Sequence, residues 1–355
     1  MTESQENPNV TEWLPEFREM ARELGFVKLG IAPAVDSAGF TDLVNWIDQG
    51  YAAGMSYFED RIDAYRHPSG VMPGSKSVIV LAYPYPADSA SICDDHHGRV
   101  ARYAWSGVDY HDTIHKKLKR LKRFIQDAAP SVRTRGCIDT APMMERELAQ
   151  LAGIGWRGKN TLLINRDRGS YLFLACVLLD IELPYDSPHQ NSHCGTCTAC
   201  LDACPTDAFP EPGVLDAARC ISYLTIEHRE AIPTELRDGI GHWAFGCDVC
   251  QEVCPWNRKP ARRASVRADA PPFEQVNLVE WFSMTEDEFR SRFRKSPFWR
   301  TRLRGMQRNA AIVLGNKRDR SALAALRLGV QSGDRLVSEA CHWAITKITD
   351  GAHQA

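Results

Sequence analysis

The chain has 355 residues and a formal net charge of −2, with 44% hydrophobic and 25% charged residues. These values are ordinary for a soluble globular protein and exclude overall electrostatic attraction to nucleic acid, so any site for a polyanion must be local. The length predicts two or three compact units.

The beginning of the chain, Met1 to Phe17, is polar and acidic and lacks the basic, apolar and twin-arginine features of an export signal. The longest purely apolar run, Tyr171 to Leu179, has nine residues, whereas a membrane-spanning helix needs roughly 20. We therefore expect a cytoplasmic protein, and a monomer because the sequence has no extended apolar seam. Thiols stay reduced in that compartment, which favours metal binding over disulfides.

Up to about Leu183, helix-like and strand-like segments alternate, which predicts an α/β layer architecture. The predicted helices cover residues 11–24, 40–58, 110–128 and 141–152. The predicted strands are Val27–Ile31, Val78–Tyr83, Val132–Ile138, Thr161–Asn165 and Tyr171–Leu179. A stretch rich in Pro and His, Leu183 to His193, is predicted to be a linker.

Residues 194–256 are short segments punctuated by Cys, Gly and Pro, with little that would form a conventional core, so we expect metal sites to hold them together. After the Pro- and Arg-rich stretch Arg258–Pro272 the sequence is helical. Arg308–Gly315 has an echo at Ser338–Ile345, which predicts one HEAT-like helical pair. The predicted domains are therefore 1–187, 188–260 and 261–355.

The densest cysteine run has the spacing of a bacterial ferredoxin. Cys194, Cys197, Cys200 and Cys204, followed by Pro205, form the pattern C-x2-C-x2-C-x3-C-P. In two-cluster ferredoxins the fourth cysteine of this run binds the other cluster. The run therefore predicts two [4Fe–4S] clusters.

A second run, Cys247, Cys250 and Cys254 before Pro255, has Ala244 where its first cysteine would stand. Cys220, between the runs, restores eight ligands. The predicted sets are Cys194, Cys197, Cys200 and Cys254 for one cluster, and Cys204, Cys220, Cys247 and Cys250 for the other.

Zinc is the alternative for these cysteines, since it also forms closed sites with four cysteine ligands. Zinc ribbons need only C-x2-C pairs, however, and two runs ending in x3-C-P favour clusters. The remaining thiols lie among apolar neighbours and are expected to be small core residues; they are Cys93, Cys137, Cys176 and Cys341.

Gly153 to Asn160 (GIGWRGKN) matches G-x-G-x-x-G and nearly matches a Walker A loop. Both motifs require a strand before and a helix after. Here a predicted helix precedes the glycines and a predicted strand follows, so we interpret the segment as a turn whose N–H groups remain available to another cofactor.

Five segments together are specific for one family: Cys137–Pro142 (CIDTAP), Gly153–Leu163 (GIGWRGKNTLL), Cys194–Pro205 (CGTCTACLDACP), Cys220–Glu227 (CISYLTIE) and Phe245–Asn257 (FGCDVCQEVCPWN). With them the chain resembles the epoxyqueuosine reductases, from about Thr11 to Asn257 and more loosely to the C-terminus. The resemblance implies a cobalamin-binding α/β domain joined to a ferredoxin-like module with two [4Fe–4S] clusters. It also implies the final step of queuosine synthesis in tRNA, reduction of the epoxide of epoxyqueuosine to an alkene.

This chemistry needs a cofactor, because no side chain delivers the two electrons that open an epoxide and expel its oxygen. The family pattern places protonation of that oxygen on Asp139, whose pKa we expect burial near Ile138, Ala141 and Pro142 to raise. The alternative interpretation of Asp139 is an N-cap of a helix over 142–148.

For the corrin pocket the resemblance implies Arg61, Trp105, Asn160, Leu163 and Ser170. The alternatives are a solvated Arg61, a core Trp105 or Leu163, and turn-forming Asn160 and Ser170. The cobalamin motif D-x-H-x-x-G is absent from the sequence, so we expect no histidine to reach cobalt by that route.

A basic region, Arg290 to Arg320, has a local net charge of +10. It comprises Arg290, Arg292, Arg294, Lys295, Arg300, Arg302, Arg304, Arg308, Lys317, Arg318 and Arg320, against Asp319 alone. The interleaved Phe293, Phe298 and Trp299 are predicted to stack on unpaired bases of tRNA. The alternative is a solvated helical face, and the shorter stretch Lys116 to Arg123 allows both interpretations equally.

Three other functions compete. An electron-transfer module of the 8Fe ferredoxin type leaves the first 180 residues unexplained. A reductive dehalogenase has similar cofactors but typically a twin-arginine signal. A cobalamin carrier has no use for two clusters. We expect an external one-electron donor and tRNA as partners.

Overall fold

The computed structural model describes residues 10–86, 96–258 and 273–350. Cys93 and the stretch from residue 259 to Pro272 lie outside these ranges. Over the three ranges, no helix is both long and apolar enough to cross a bilayer. The mixed α/β architecture expected from the sequence is confirmed.

The N-terminal half is built on a four-stranded sheet in the order β1 (Lys28–Pro33), β2 (Ser77–Pro84), β7 (Leu172–Leu179) and β4 (Thr134–Cys137). All neighbouring strands are antiparallel. The central strands β2 and β7 are almost entirely apolar because both of their faces are covered.

Helices cover the two faces of this sheet. α1 (Val10–Glu23) and α3 (Tyr110–Ala128) pack on the face that carries Ile79 and Leu81. α4 (Glu145–Leu151) packs on the face that carries Val78 and Val80. Alternate residues of one strand thus serve two cores, as the period of a strand requires.

Two predicted helices are shorter than expected. The segment 40–58 is helical only over α2 (Phe40–Asp48), because the chain turns at Gly50 with φ +77° and then forms a 3-10 turn at Ser56–Phe58. The segment 141–152 is helical only over α4. The predicted strand Thr161–Asn165 is reduced to β6 (Leu163–Ile164), which forms a hairpin with β5 (Trp156–Arg157).

A second sheet was not anticipated. β3 (His97–Val100) pairs in parallel with β8 (Trp243–Phe245) and antiparallel with β9 (Gln275–Asn277). It joins strands from all three predicted domains. The domain boundaries stay a prediction, but buried side chains on both sides of residue 260 belong to one apolar cluster.

The expectation that residues 194–256 lack a conventional core is wrong. This region contains α5 (Ala199–Asp202), α6 (Ile221–Ile226), α7 (Thr234–Ile240) and α8 (Val249–Glu252). Ile221, Leu224 and Phe245 are buried against the C-terminal helices. Apolar burial therefore contributes to the stability of this region.

The C-terminal helices are α9 (Glu286–Phe293), α10 (Arg302–Lys317), α11 (Leu323–Val330) and α12 (Arg335–Asp350). The two echoing segments lie on α10 and α12, which pack on each other. Gly315 permits this approach, since a Cβ there would stand 2.7 Å from the ring of Trp343. The HEAT-like nature of this pair stays a prediction.

Candidate functional site

The two cysteine runs have matching local structures and lie side by side. In each run a one-turn helix, α5 or α8, precedes the last cysteine. The N–H of Cys204 bonds to the carbonyl of Leu201 and that of Cys254 to the carbonyl of Gln251, both at 3.2 Å. α5 packs against α8.

Charges act between thiols of the same predicted ligand set, and also between Cys200 and Cys250, which belong to different sets, so the division into two sets stays a prediction. Burial raises the pKa of Cys254, and the nearby charges of Cys194 and Cys197 raise it further. Burial likewise raises the pKa of Cys250, and the charge of Cys220 adds to it. All eight thiols are free. Among the described residues no three Cys, His, Asp or Glu side chains converge tightly enough for a single metal ion.

Cys137, Cys176 and Cys341 are buried, as predicted for core thiols. Burial raises the pKa of Cys137 to about 11 and that of Cys341 to about 12, so these thiols stay protonated at neutral pH. Cys93 lies outside the described residues.

A buried ion pair joins the second cysteine run to the segment after β3. Arg102 donates from its backbone N–H and from its guanidinium to Asp248, at 2.8 and 3.0 Å. The same guanidinium bonds to Glu252 at 2.7 Å. Asp248 and Glu252 flank Cys250, so this pair fixes the backbone that carries the thiols. Sequence reasoning missed Arg102, because its partners are about 150 residues away.

The five residues implied for the corrin pocket do not share one open surface. Asn160 and Ser170 are buried against the second cysteine run: Asn160 Nδ2 bonds to the carbonyl of Cys250 at 3.3 Å, and Ser170 Oγ accepts from Gln251 at 3.0 Å. Trp105 and Leu163 are also buried. Only Arg61 is exposed.

Asp139 occupies a strained turn directly after β4. Its φ is +30°, which is unusual for a residue with a side chain. Thr140 bonds back to the carbonyl of Ile138 through both its N–H and its hydroxyl, and these bonds close the turn. The N-cap interpretation of Asp139 is wrong, since α4 begins at Glu145 with Met144 as its N-cap.

The expectation that Asp139 has a raised pKa is also wrong. Its side chain is 41% exposed. Burial raises its pKa, but the hydrogen bond and charge of His111, the hydrogen bond of Tyr110 and the charge of Arg300 outweigh burial and hold it below the ordinary value. At neutral pH Asp139 is therefore a carboxylate.

His111 holds the proton in this group. Its Nε2 lies 2.5 Å from Oδ1 of Asp139 and its Nδ1 lies 2.7 Å from Oδ1 of Asp109. Burial lowers the pKa of His111, but the two hydrogen bonds outweigh burial and raise it to about 9. A protonated His111 donates to both carboxylates, although the charge of Arg300, whose Nη2 lies 2.7 Å from Nδ1, acts in the opposite direction on its pKa. Tyr110 donates to the other oxygen of Asp139.

A C-terminal residue completes this group. Arg300 lies 3.8 Å from the carboxylate of Asp109 and its guanidinium stands over the ring of Tyr110 at 5.6 Å. Sequence analysis assigned Arg300 to a basic surface, and the structure places it in the Asp139 site. The only feature of the sequence that pointed to this site was Asp109, a residue type that is typical of the N-cap position and that precedes α3.

A buried carboxyl lies behind Asp139. Oε1 of Glu145 is buried and has no hydrogen-bond partner among the described residues. Burial, followed by the charge of Asp139, raises the pKa of Glu145 to about 8. Glu145 is therefore mostly protonated at neutral pH, while Asp139 is ionised.

The carboxylate of Asp139 lies near enough to the phenol of Tyr57 for its charge to affect the pKa of Tyr57. Tyr57 is 48% exposed, and its pKa is raised to about 12 by burial and by the charges of Glu227 and Asp139. Arg61 lies close enough to Tyr65, beside Tyr57, to lower the pKa of that phenol against the effect of burial. Tyr57 therefore offers exposed aromatic surface near the Asp139 carboxylate, and Arg61 adds a cation near Tyr65.

The basic region divides into exposed and structural residues. Eight of its cations are exposed: Arg290, Arg292, Arg294, Lys295, Arg302, Arg304, Arg318 and Arg320. Arg308 is buried and donates to the carbonyls of Leu224, His228 and Glu230, so it stabilises the fold.

The stacking expectation is wrong for two aromatics. Phe293 and Phe298 are 1% and 0% exposed and cannot reach a base. Trp299 is half-buried and stacks on Phe289, with Arg302 at 4.1 Å over its ring.

The sequence was compared with known proteins. An epoxyqueuosine reductase of Pseudomonas aeruginosa is 39% identical over 348 residues, which cover 96% of this chain and 96% of that protein. The chain belongs to the epoxyqueuosine reductase family. Residues 66–140 match the family described as epoxyqueuosine reductase QueG, DUF1730, and residues 193–257 match a 4Fe-4S double cluster binding domain. Both predicted cysteine sets lie inside the second match.

Solved epoxyqueuosine reductases share this fold. One, bound to an epoxyqueuosine-modified stem loop of tRNA-Tyr, has a TM-score of 0.87 and 32% identity, covering 97% of this chain and 92% of that chain. Another, from Bacillus subtilis, has the catalytic loop of one of its aspartates swung out of the active site. Its TM-score is 0.87 and its identity 32%, covering 96% and 91% of the two chains.

Proposed function

We propose that this protein reduces the epoxide of epoxyqueuosine in tRNA to the alkene of queuosine. The observation that carries the proposal is the match, over 97% of the chain, to an epoxyqueuosine reductase bound to an epoxyqueuosine-modified stem loop. The reaction consumes two electrons and two protons, and the oxygen leaves as water. The protein must therefore supply an electron path, a proton source and a surface for tRNA.

The electron path consists of two [4Fe–4S] clusters. Their thiolate donor set fits the eight free cysteines that lie within the match to a double cluster binding domain. We assign Cys194, Cys197, Cys200 and Cys254 to one cluster, and Cys204, Cys220, Cys247 and Cys250 to the other. Clusters held by these cysteines would supply one-electron transfer from an external one-electron donor.

Cobalamin is the cofactor that we propose for breaking the carbon–oxygen bonds of the epoxide. The exposed ring of Tyr57 and the guanidinium of Arg61 fit a large ring with apolar faces and polar substituents. Trp105, Asn160, Leu163 and Ser170 would support this site from the buried side, between the sheet and the second cysteine run. When bound, cobalamin supplies the strongly reducing nucleophile that no side chain provides.

Protons come from the group around Asp139. Asp139 is partly exposed near Tyr57, and His111, protonated at neutral pH, donates to it. His111 thus delivers a proton through Asp139 to the departing oxygen, and Tyr110 holds the second carboxylate oxygen in place. Arg300 and Asp109 keep His111 in position.

The tRNA contacts lie on two exposed basic surfaces. The first is the set of eight exposed cations between Arg290 and Arg320. The second is one face of α3, where Lys116, Lys119, Arg120 and Arg123 are exposed at helical spacing. Because α3 begins at Tyr110 and His111, its basic face leads away from the Asp139 site. Both surfaces fit a phosphate backbone.

The test is the reaction itself. Protein purified without oxygen, with iron and cobalt measured, is incubated with a reductant and tRNA bearing epoxyqueuosine, and the nucleosides are analysed. We expect queuosine to form, in the cytoplasmic setting and monomeric state predicted from the sequence. Loaded protein that leaves epoxyqueuosine intact would instead favour an electron carrier, a cobalamin carrier or a dehalogenase.

A further inference from the structure

Lys159, near the end of the glycine-rich segment Gly153–Asn160, has no role in the function proposed so far, yet it contacts the first cysteine run. β5 and β6 form a tight hairpin, closed by a 2.8 Å bond from the N–H of Gly158 to the carbonyl of Leu162. A Cβ at Gly158 would stand 2.5 Å from Ile164. Any side chain at Gly158 would therefore require the side chains of Ile164 and Asn160 to move.

The side chain of Lys159 is fixed by the backbone of the cysteine run. Its Nζ donates to the carbonyl of Gly195 at 2.8 Å and to that of Cys197 at 3.0 Å. Its own carbonyl accepts from the N–H of Gly213 at 2.8 Å. Both ends of this residue are thus held by the cluster domain, and its ammonium group stands at the loop between Cys194 and Cys197.

The same hairpin forms the apolar wall of this site. Trp156 and Ile164 are buried in one cluster with Cys254, and Cys194 packs against it. The indole N–H of Trp156 is buried and finds no acceptor among the described residues. Cluster sulfur atoms accept hydrogen bonds, so an N–H in this position fits a cluster held by these cysteines.

We propose that Lys159 is a positioning residue that ties the hairpin to the first cysteine run and favours the reduced state of the cluster held by Cys194, Cys197, Cys200 and Cys254. The inference rests on the ligand sets assigned above. Reduction adds one electron, and hence one negative charge, to the cluster. A cation fixed at the cluster loop stabilises that charge, and net charge and hydrogen bonds are known to set cluster potentials.

Other charges at this run do not replace Lys159. Asp202 is bound by the hydroxyl of Thr198 at 2.7 Å. Arg258 donates to the carbonyl of Val253 at 3.1 Å. These two residues carry opposite charges, whereas Lys159 contacts the backbone of a predicted ligand directly. Cys197 is the exposed thiol of the set, so this cluster is also the one that an external donor can approach.

The test is a redox titration with dithionite, followed by electron paramagnetic resonance, on the full chain without tRNA. Lys159→Met removes the charge and the hydrogen bonds, and Lys159→Arg keeps the charge. Lys76→Gln, an exposed lysine that begins the turn into β2, is the matched control. Iron is measured in every sample.

We expect Lys159→Met to lower the potential of one cluster and leave the other, with Lys159→Arg and Lys76→Gln close to the parent. If Lys159→Met lost half of its iron and Lys159→Arg did not, this would also support the inference that Lys159 connects the hairpin to the first cysteine run. Full iron with unchanged potentials in Lys159→Met, or equal shifts in Met and Arg variants, would overturn the inference. A parent without cluster iron would instead overturn the ligand assignment on which it rests.

Discussion

Nε2 of His111 lies 2.5 Å from Oδ1 of Asp139. This hydrogen bond connects the first turn of α3 to the strained turn after β4. The two groups have opposite pKa shifts, His111 upward and Asp139 downward. The proton at neutral pH therefore resides on the imidazole, and we propose that it leaves through the partly exposed carboxylate of Asp139.

Replacing His111 by Gln should change the dependence of turnover on pH. In the parent, the single-turnover rate should fall as the pH rises through about 9, because His111 then loses its proton. In His111→Gln this decline should disappear and the rate should be low throughout. His115→Gln, an exposed histidine one turn along α3, is the control. Identical pH profiles for parent and His111→Gln would refute the role.

His111 should also affect stability in a defined direction. Its pKa is raised from 6.5 to about 9, so its favourable contribution is present below pH 6.5 and is lost as the pH rises through 9. The difference in unfolding free energy between parent and His111→Gln should therefore shrink over that range. Denaturant unfolding at a series of pH values measures it.

Glu145→Gln should make the protein less sensitive to alkaline pH. The pKa of Glu145 is raised from 4.5 to about 8 by burial, so the stability associated with its neutral form is lost as the pH rises from 4.5 through 8. Gln stays neutral and keeps the shape. The melting temperature of Glu145→Gln should decline less than that of the parent over this range. The control is Glu182→Gln, at an exposed position, whose melting temperature should decline with pH as that of the parent does. The same decline in Glu145→Gln would show that the Glu145 carboxyl is solvated.

The ligand sets predict iron content. The reconstituted parent should hold about eight iron and eight sulfide per chain, and Cys220→Ala should lose one cluster and keep the other. Cys341→Ala, a buried thiol among apolar residues, is the matched control and should keep both. Undiminished iron content in Cys220→Ala would show that Cys220 is not a cluster ligand. Two zinc ions per chain, without the absorption of iron–sulfur clusters, would refute the prediction of clusters.

The basic surface predicts a salt effect. Replacing Arg290, Arg292 and Arg294 by Gln should weaken tRNA binding and reduce the salt dependence of the affinity by roughly one unit of slope for each phosphate that is no longer neutralised. Arg22→Gln, an exposed arginine on α1, should bind as the parent. Point substitutions suit this test better than truncation, because the C-terminal helices share a buried cluster with residues 217–245. If the salt dependence of tRNA affinity were unchanged, these arginines would belong to a solvated helical face that does not contact tRNA.

Patterns confined to one segment were predictable from the sequence. Strands β2 and β7 follow from continuous apolar runs, because both faces of the sheet are covered. The ferredoxin spacing led to the cysteine runs because ligand spacing is imposed by the cluster itself. The glycine-rich segment was separated from nucleotide loops by the order of helix and strand alone.

Features made by distant partners were not predictable. β3 has only four residues, of which Val100 alone is a large apolar residue, and its pairing with β8 and β9 defines it as a strand. Arg300 meets Asp109 across the interface between N- and C-terminal regions. Phe293 and Phe298 resemble base-stacking residues in a basic stretch, but burial in the C-terminal core decides their role. Neither the absence of a capping role for Asp139 nor its lowered pKa could be predicted, because they depend on where α4 begins and on the position of His111.

The most direct test of the account is single-turnover reduction of epoxyqueuosine-tRNA by Asp139→Asn, with iron and cobalamin content verified spectroscopically. Asn keeps the shape of Asp139 but cannot accept and pass on the proton of His111, so the rate should fall by roughly 10² to 10⁴, while Asp112→Asn, exposed on α3, should leave it unchanged. A rate for loaded Asp139→Asn within a few-fold of the parent would contradict the account.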